Sequence, residues 1–376
     1  MEKILFITND FPPQSGGIET FIEGLIRQIP QGSVVVHTST QRDLAAKESF
    51  DQRIYDELGV VVVRDRQRIL LPIPALAKRV AGTIHAHAVT KVVFGASVPL
   101  GLLAPRLRKL GVKKMIAITH GHEVWWSKVP LFAHALRRVA RHVDHITYLG
   151  SFTKSVISKA VDREDEVKLV HLPPGVDINI FRPEKEKAAG KNILCVGRLV
   201  QRKGQDVLIK AMARIRDIHP DAHLLIAGEG NYEAKLRALV AKCGVSESVT
   251  FTGRILDTEL PELFRSTDIF ASPTRERFGG LEVEGLGIVY LEASASGIPV
   301  IAGASGGSPD AVQIAVTGLV VDGRSVEEVA QALDELLADS AKRKAMGARG
   351  REWMEREWSW QVIGARFSKL LQLYEI

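Results

Sequence analysis

Several kinds of protein are excluded by what this chain does not contain. Its two cysteines, Cys195 and Cys243, are too few for a disulfide framework and sit in apolar surroundings, so a reduced, cytosolic compartment is expected. No signal peptide is read, because Met1-Glu2-Lys3 runs straight into a short strand-like segment. The uncharged run from Val92 to Pro105 falls short of the ~20 residues a membrane helix needs and is broken by Gly and Pro. Asp-x-Asp is absent, so a divalent cation bridging a diphosphate is not indicated. The dinucleotide fingerprint G-x-G-x-x-G and the P-loop pattern are absent too. Acidic residues are almost missing from one region: residues 64–141 hold 15 Lys and Arg but only Asp65 and Glu123. A field of that sign attracts lipid headgroups, phosphates or nucleic acid, although solubilising charge on helix faces would look the same. Aromatics in that region are few (Phe94, Trp125, Trp126 and Phe132), which weakens a base-stacking nucleic-acid reading.

What is present is a repeated α/β pattern. Hydrophobic residues make up 45% and charged residues 25% of 376, the balance of a folded chain long enough for two domains. Short apolar runs predict strands at 4–8, 34–37, 60–64, 91–94, 115–118, 145–148 and 168–171. The pattern restarts after a Pro/Gly-rich stretch, with strands at 192–196, 223–227, 249–252, 269–271, 299–301 and 319–321. Amphipathic helices such as 205–216 and 232–242 fall between them. This alternation predicts an α/β chain of two Rossmann-like, doubly wound parallel sheets facing across a cleft, the default ligand site. The expected domains are 1–185 and 190–358, with a final helix, 359–376, packing back on the first.

Four segments carry candidate chemistry, each at the carboxyl end of an expected strand. In Val196-Gly197-Arg198-Leu199-Val200-Gln201-Arg202-Lys203-Gly204, Arg198 and Lys203 offer a planar fork and a point charge at a helix N-terminus, a pair suited to a diphosphate. Two surface cations flanking a turn would read the same way. In Glu284-Gly285-Leu286-Gly287-Ile288-Val289-Tyr290-Leu291-Glu292, two carboxylates flank a glycine turn that lets backbone N–H groups approach a bound oxygen. Carboxylates accept hydrogen bonds from vicinal hydroxyls, though ordinary helix N-terminal acids are the alternative. The loop from Asn9 to Glu19 contains Gly16 and Gly17, which bring main chain against a phosphate or simply turn the chain. Thr119-His120-Gly121-His122-Glu123 places a histidine where it can reach a ligand, without the helical spacing a zinc site would use.

Together and in this order, the four segments resemble the retaining glycosyltransferases of the GT-B fold, over nearly the whole chain. The resemblance implies that Arg198 and Lys203 hold a donor diphosphate and that Gly16 and Gly17 approach it from the other domain. Glu292 would bind the nucleotide ribose. Glu284 would bind the transferred hexose, with the N–H groups around Gly287, Ile288 and Val289. His120 would contact the hexose near its reacting carbon, and Arg254 and Ile255 would touch the base. Residues 275–283 are longer than the family's usual approach to the first glutamate, so a register on Glu276 and Glu284 stays open beside 284/292. The latter is preferred because Glu292 leads into Ala-Ser-Ala-Ser-Gly-Ile-Pro-Val.

Within the family the likeness is to phosphatidylinositol mannosyltransferases, carried by Phe6-Ile7-Thr8-Asn9-Asp10-Phe11-Pro12-Pro13 and by 119–127. It implies GDP-mannose as donor, an anionic glycolipid as acceptor, no metal and no other cofactor, no nucleic acid, and retention through front-face attack. The basic stretch 64–141, with Ile69-Leu70-Leu71-Pro72, Trp125-Trp126 and Arg137-Arg138, would contact the inner face of the cell membrane peripherally from the cytoplasm. A glycosyltransferase of the same fold using UDP-glucose or another sugar nucleotide with a soluble or phosphorylated acceptor is the nearest alternative. A non-catalytic anion or nucleic-acid binder is the remote one.

Overall fold

Strands covered on both faces read as unbroken apolar runs, because no side of them meets water. Ile4-Leu5-Phe6-Ile7 and Val34-Val35-Val36 are of this kind, and in the computed structural model all seven are buried. The structure describes residues 2–14, 16–40, 44–121, 130–184 and 190–373. His122, Glu123, Trp125 and Trp126 lie outside the described residues.

The chain divides into two units, Met1–Gly175 with Trp360–Ile376, and Val176–Ser359. The first therefore ends at Gly175 rather than at 185, because the chain already crosses into the second unit at Val176, whose N–H donates to Trp358 O at 2.9 Å. The first unit contains β1 (Lys3–Thr8), β2 (Val34–Thr38), β3 (Val61–Arg64), β4 (Val89–Phe94), β5 (Lys114–Ala117), β6 (His145–Tyr148) and β7 (Leu169–His171). They form one sheet in the order β3-β2-β1-β4-β5-β6-β7, parallel throughout. The second unit contains β8 (Asn192–Val196), β9 (His223–Ala227), β10 (Val249–Gly253), β11 (Ile269–Ser272), β12 (Val300–Gly303) and β13 (Gly318–Val321). Its order, β10-β9-β8-β11-β12-β13, repeats the same reversal. In such sheets the connections leave in opposite directions at the reversal, β1/β4 in one unit and β8/β11 in the other, and open a crevice at the strands' carboxyl ends.

Packing fixes where those ends sit. The helix Gln205–Ile215 buries Val207, Leu208, Ala211, Met212 and Ile215, an i, i+3/i+4 stripe, in the core of the second unit. The helix Trp360–Leu371 belongs to the first unit. Phe367 meets Phe6 edge-on at 6.2 Å, and Lys91 Nζ donates to Gln372 O at 3.0 Å. The Trp360 ring lies so close to Gly24 that a Cβ there would stand 2.1 Å from it. Among the described residues no helix is long and apolar enough to cross a membrane.

Candidate functional site

In the second unit the site is built where the chain leaves β8. The strand ends in a short turn, Gln201–Lys203, and Gly204 opens the helix Gln205–Ile215 at φ 74°. A Cβ at Gly204 would stand 1.9 Å from Pro273 O, so only glycine lets this turn lie against the loop that follows β11. The close approach turns Lys203 inward. Its side chain is 10% exposed and its Nζ meets Glu284 Oε2 at 2.8 Å. Arg202 donates through Nη1 to the same oxygen, and its Nε stands 3.7 Å from Glu282 Oε1. Glu284 itself is held by its main chain, with Gly307 N donating to Glu284 O at 2.9 Å. Burial pushes the Glu284 carboxyl up, but Lys203 and Arg202 outweigh it and hold the group below its ordinary range.

Arg198, expected beside Lys203, is exposed, and the described residues place no carboxylate at ion-pair distance from it. The cation that shares Glu284 with Lys203 is Arg202, which sequence reasoning missed. The available signal was a second basic residue next to Lys203 with a second acid, Glu282, two positions before Glu284. Glu276 makes no ion pair among the described residues and is tied through its carbonyl, which accepts from Arg324 at 2.7 Å.

Downstream, Gly287 caps the helix Ile288–Ala295 at φ 88°, a left-handed conformation that a side chain would strain. The first N–H groups of this helix, at Ile288 and Val289, have no acceptor within it and are a ready site for an anion or a sugar oxygen. Tyr290 anchors the turn from below, donating to Ser272 O at 2.7 Å. Glu292 follows on the same helix. Its Oε2 is buried with no hydrogen-bond partner among the described residues, and burial together with the charge of Asp257 pushes the carboxyl up to about 8. A buried acceptor without a donor is suited to a ligand hydroxyl. Arg254, exposed, and Ile255 follow β10, in the same loop as Asp257. Cys195 is buried in β8 with its thiol pushed up to about 12, which leaves it inert as a nucleophile.

In the first unit, Gly16 and Gly17 stand at the start of the helix Gly17–Ile26, both exposed, in the loop that follows β1. His120 follows β5. Its Nε2–H donates to Gly95 O beyond β4, and its ring meets Phe21 edge-on at 5.8 Å. That bond selects the tautomer with the proton on Nε2. Both segments lie at strand carboxyl ends about the β1/β4 reversal.

The chain compares with known proteins as follows. A family model described as "Glycosyltransferase Family 4" matches residues 15–180, and one described as "Glycosyl transferases group 1" matches 177–353. A GDP-mannose-dependent alpha-(1-6)-phosphatidylinositol monomannoside mannosyltransferase of Mycobacterium tuberculosis is 42% identical over 99% of this chain and 98% of its own. A GDP-mannose-dependent monoacylated alpha-(1-6)-phosphatidylinositol monomannoside mannosyltransferase of Corynebacterium glutamicum is 44% identical over 98% of each chain. The chain belongs to the GT-B glycosyltransferases of the family 4 type. The solved structure of Anabaena HepE in complex with UDP superposes on this glycosyltransferase with a TM-score of 0.81 at 18% identity, covering 99% of this chain and 100% of that one, and so shares its fold.

Among the described residues of this glycosyltransferase no three His, Cys, Asp or Glu side chains converge as a metal site. The described part of the 64–141 stretch retains one acid, Asp65, which is buried and paired with Arg79 at 2.6 Å. In the same stretch Ile69, Leu71, Ile73 and Leu131 are 63%, 49%, 41% and 74% exposed. A cavity of about 530 Å³ is lined by Pro72, Leu102, Leu131 and Phe132 together with Arg106 and Arg138.

Proposed function

We propose that this glycosyltransferase moves mannose from GDP-mannose to a phosphatidylinositol mannoside at the cytoplasmic face of the membrane, with retention and without a metal. The observation that carries the donor and acceptor is the 42% and 44% identity, over nearly the whole chain, to relatives named as GDP-mannose-dependent phosphatidylinositol monomannoside mannosyltransferases. Lys203, freed from Glu284, and the exposed Arg198 neutralise the diphosphate, aided by helix N–H groups from Gly287 to Val289. Glu284 accepts from the mannose hydroxyls. Glu292 takes the ribose hydroxyls on its unpartnered oxygen. Arg254 and Ile255 touch the base, Gly16 and Gly17 approach the diphosphate, and His120 contacts the mannose near its anomeric carbon.

The acceptor hydroxyl attacks from the face the diphosphate leaves. The bond from the anomeric carbon to the departing phosphate oxygen breaks as the new glycosidic bond forms, and that phosphate oxygen takes the acceptor's proton. The cationic, apolar surface around Ile69, Leu71, Ile73 and Leu131 supports peripheral contact with an anionic leaflet. The test is a donor panel with a mannolipid acceptor in EDTA, reading radiolabel in the lipid phase and the anomeric configuration of the product. GDP-mannose alone should label the lipid. Labelling from UDP-glucose instead, or labelling abolished by EDTA, would overturn the donor or the metal-free reading.

A further inference from the structure

The reading above leaves a difficulty at Glu284. In the free protein Lys203 neutralises it at 2.8 Å, yet the diphosphate needs the same ammonium. A buried carboxylate left without a cation is strongly unfavourable, so a second cation must remain when Lys203 turns away.

We infer that Arg202 is that cation, a positioning residue that holds Glu284 with one carboxylate oxygen open to the donor sugar; the inference rests on the reading of Glu284 as the sugar's partner. Three observations carry it. Arg202 and Lys203 both meet Oε2 of Glu284, and among the described residues nothing bonds Oε1. Arg202 is fixed independently of Lys203: its carbonyl accepts from Arg275 N at 2.8 Å, and Arg275 pairs with Asp206 at 2.9 Å. On its other flank stands Glu282, itself held by Arg277 at 2.9 Å across the turn that Arg277 and Glu282 close by mutual backbone hydrogen bonds. The 275–283 segment thus braces a guanidinium rather than supplying a ligand of its own. A planar fork keeps its geometry when one neighbour leaves, whereas an ammonium would follow the ligand.

The titratable and charged groups facing Glu284 are Arg202 and Lys203 from the turn after β8, with Cys195 behind them, Glu282 from the turn beside it, and Tyr290 from the helix Ile288–Ala295. Without Arg202 the largest influence, burial, is opposed by Lys203 alone. The Glu284 carboxyl then rises, so on acidification the activity that depends on its ionised form is lost at a higher pH than in the wild type.

The experiment uses the full chain with GDP-mannose and mannolipid acceptor, comparing Arg202→Gln, Arg202→Lys and Glu284→Gln. GDP, which lacks the sugar, reports separately on folding and on the diphosphate site. Arg202→Gln should lower kcat/KM for the donor by about 10-fold or more, the scale of losing a buried charge-assisted hydrogen bond. Its acid limb should move to higher pH and GDP affinity should fall, because Lys203 can no longer leave Glu284 without stranding a buried charge, and Arg202→Lys should recover part of each. Wild-type kcat/KM and an unmoved acid limb in Arg202→Gln would overturn the inference. So would a loss of GDP binding and turnover in equal measure that Lys does not rescue. Should the glutamine variant not fold, a raised donor KM in Arg202→Lys supports the role, and a wild-type KM ends it. An unaffected Glu284→Gln would instead remove the sugar-binding reading of Glu284, a separate failure.

Discussion

Glu292 offers the most direct test of the donor site, because its carboxyl is pushed up to about 8 by burial and by Asp257. One pH unit below that value, at pH 7, roughly nine-tenths of the molecules hold the proton. A pair of ribose hydroxyls donating to the carboxylate favours the ionised form, so GDP binding at pH 7 should release up to ~0.9 proton from this group. Titration calorimetry in two buffers of different ionisation enthalpy measures the release directly. The nucleotide's own phosphates contribute a background, which Glu292→Gln leaves in place. The difference between wild type and Glu292→Gln should therefore approach one proton at pH 7 and vanish above about pH 9. An identical release in the two proteins would refute the reasoning. Stability follows the same linkage. The folded chain keeps a proton that the unfolded chain gives up above its ordinary value of 4.5, so the contribution is complete below 4.5 and is lost as pH rises through about 8. At about 1.4 kcal/mol per pH unit this amounts to a few kcal/mol, and Glu292→Gln should remove the slope.

Other perturbations reach other parts of the argument. Lys203→Ala should lower kcat by roughly 100-fold or more, the scale of losing one preorganised charge-stabilising donor, and an unchanged rate would remove its leaving-group role. Gly204→Ala forces a left-handed side chain and a Cβ 1.9 Å from Pro273 O. It should cost about 2 kcal/mol or more in thermal or denaturant unfolding and weaken GDP binding with it. Leu131→Glu, at a position 74% exposed, should reduce binding to anionic vesicles in a flotation assay while leaving GDP affinity unchanged. Vesicle binding equal to wild type would locate the membrane contact elsewhere.

The thirteen strands of the described residues, and their division into two sheets, were legible in the sequence. Strands such as β1 and β2 are buried on both faces, so their apolar runs carry the signal without any tertiary information. The two glutamates at 284 and 292, and Lys203 at the end of a strand, were legible as residue types at a spacing. Arg202 was not, because its partner is 82 positions away and reaches it only through the packing of Gly204 against Pro273. The exposure of Arg198 was hidden for the same reason: which of two basic residues in a turn points inward depends on how that turn is pressed against the next loop.

By itself, then, the order of residues determined the α/β alternation, the point at which the pattern restarts, and which functional groups stand at strand ends. These properties are local, set by burial periodicity and by turn chemistry. Only the tertiary structure decided that two cations share one oxygen of Glu284 and that, among the described residues, Glu292 keeps a buried oxygen without a donor. Charge pairing and desolvation act through space, and their strength depends on distances of a few ångströms between residues far apart in the chain.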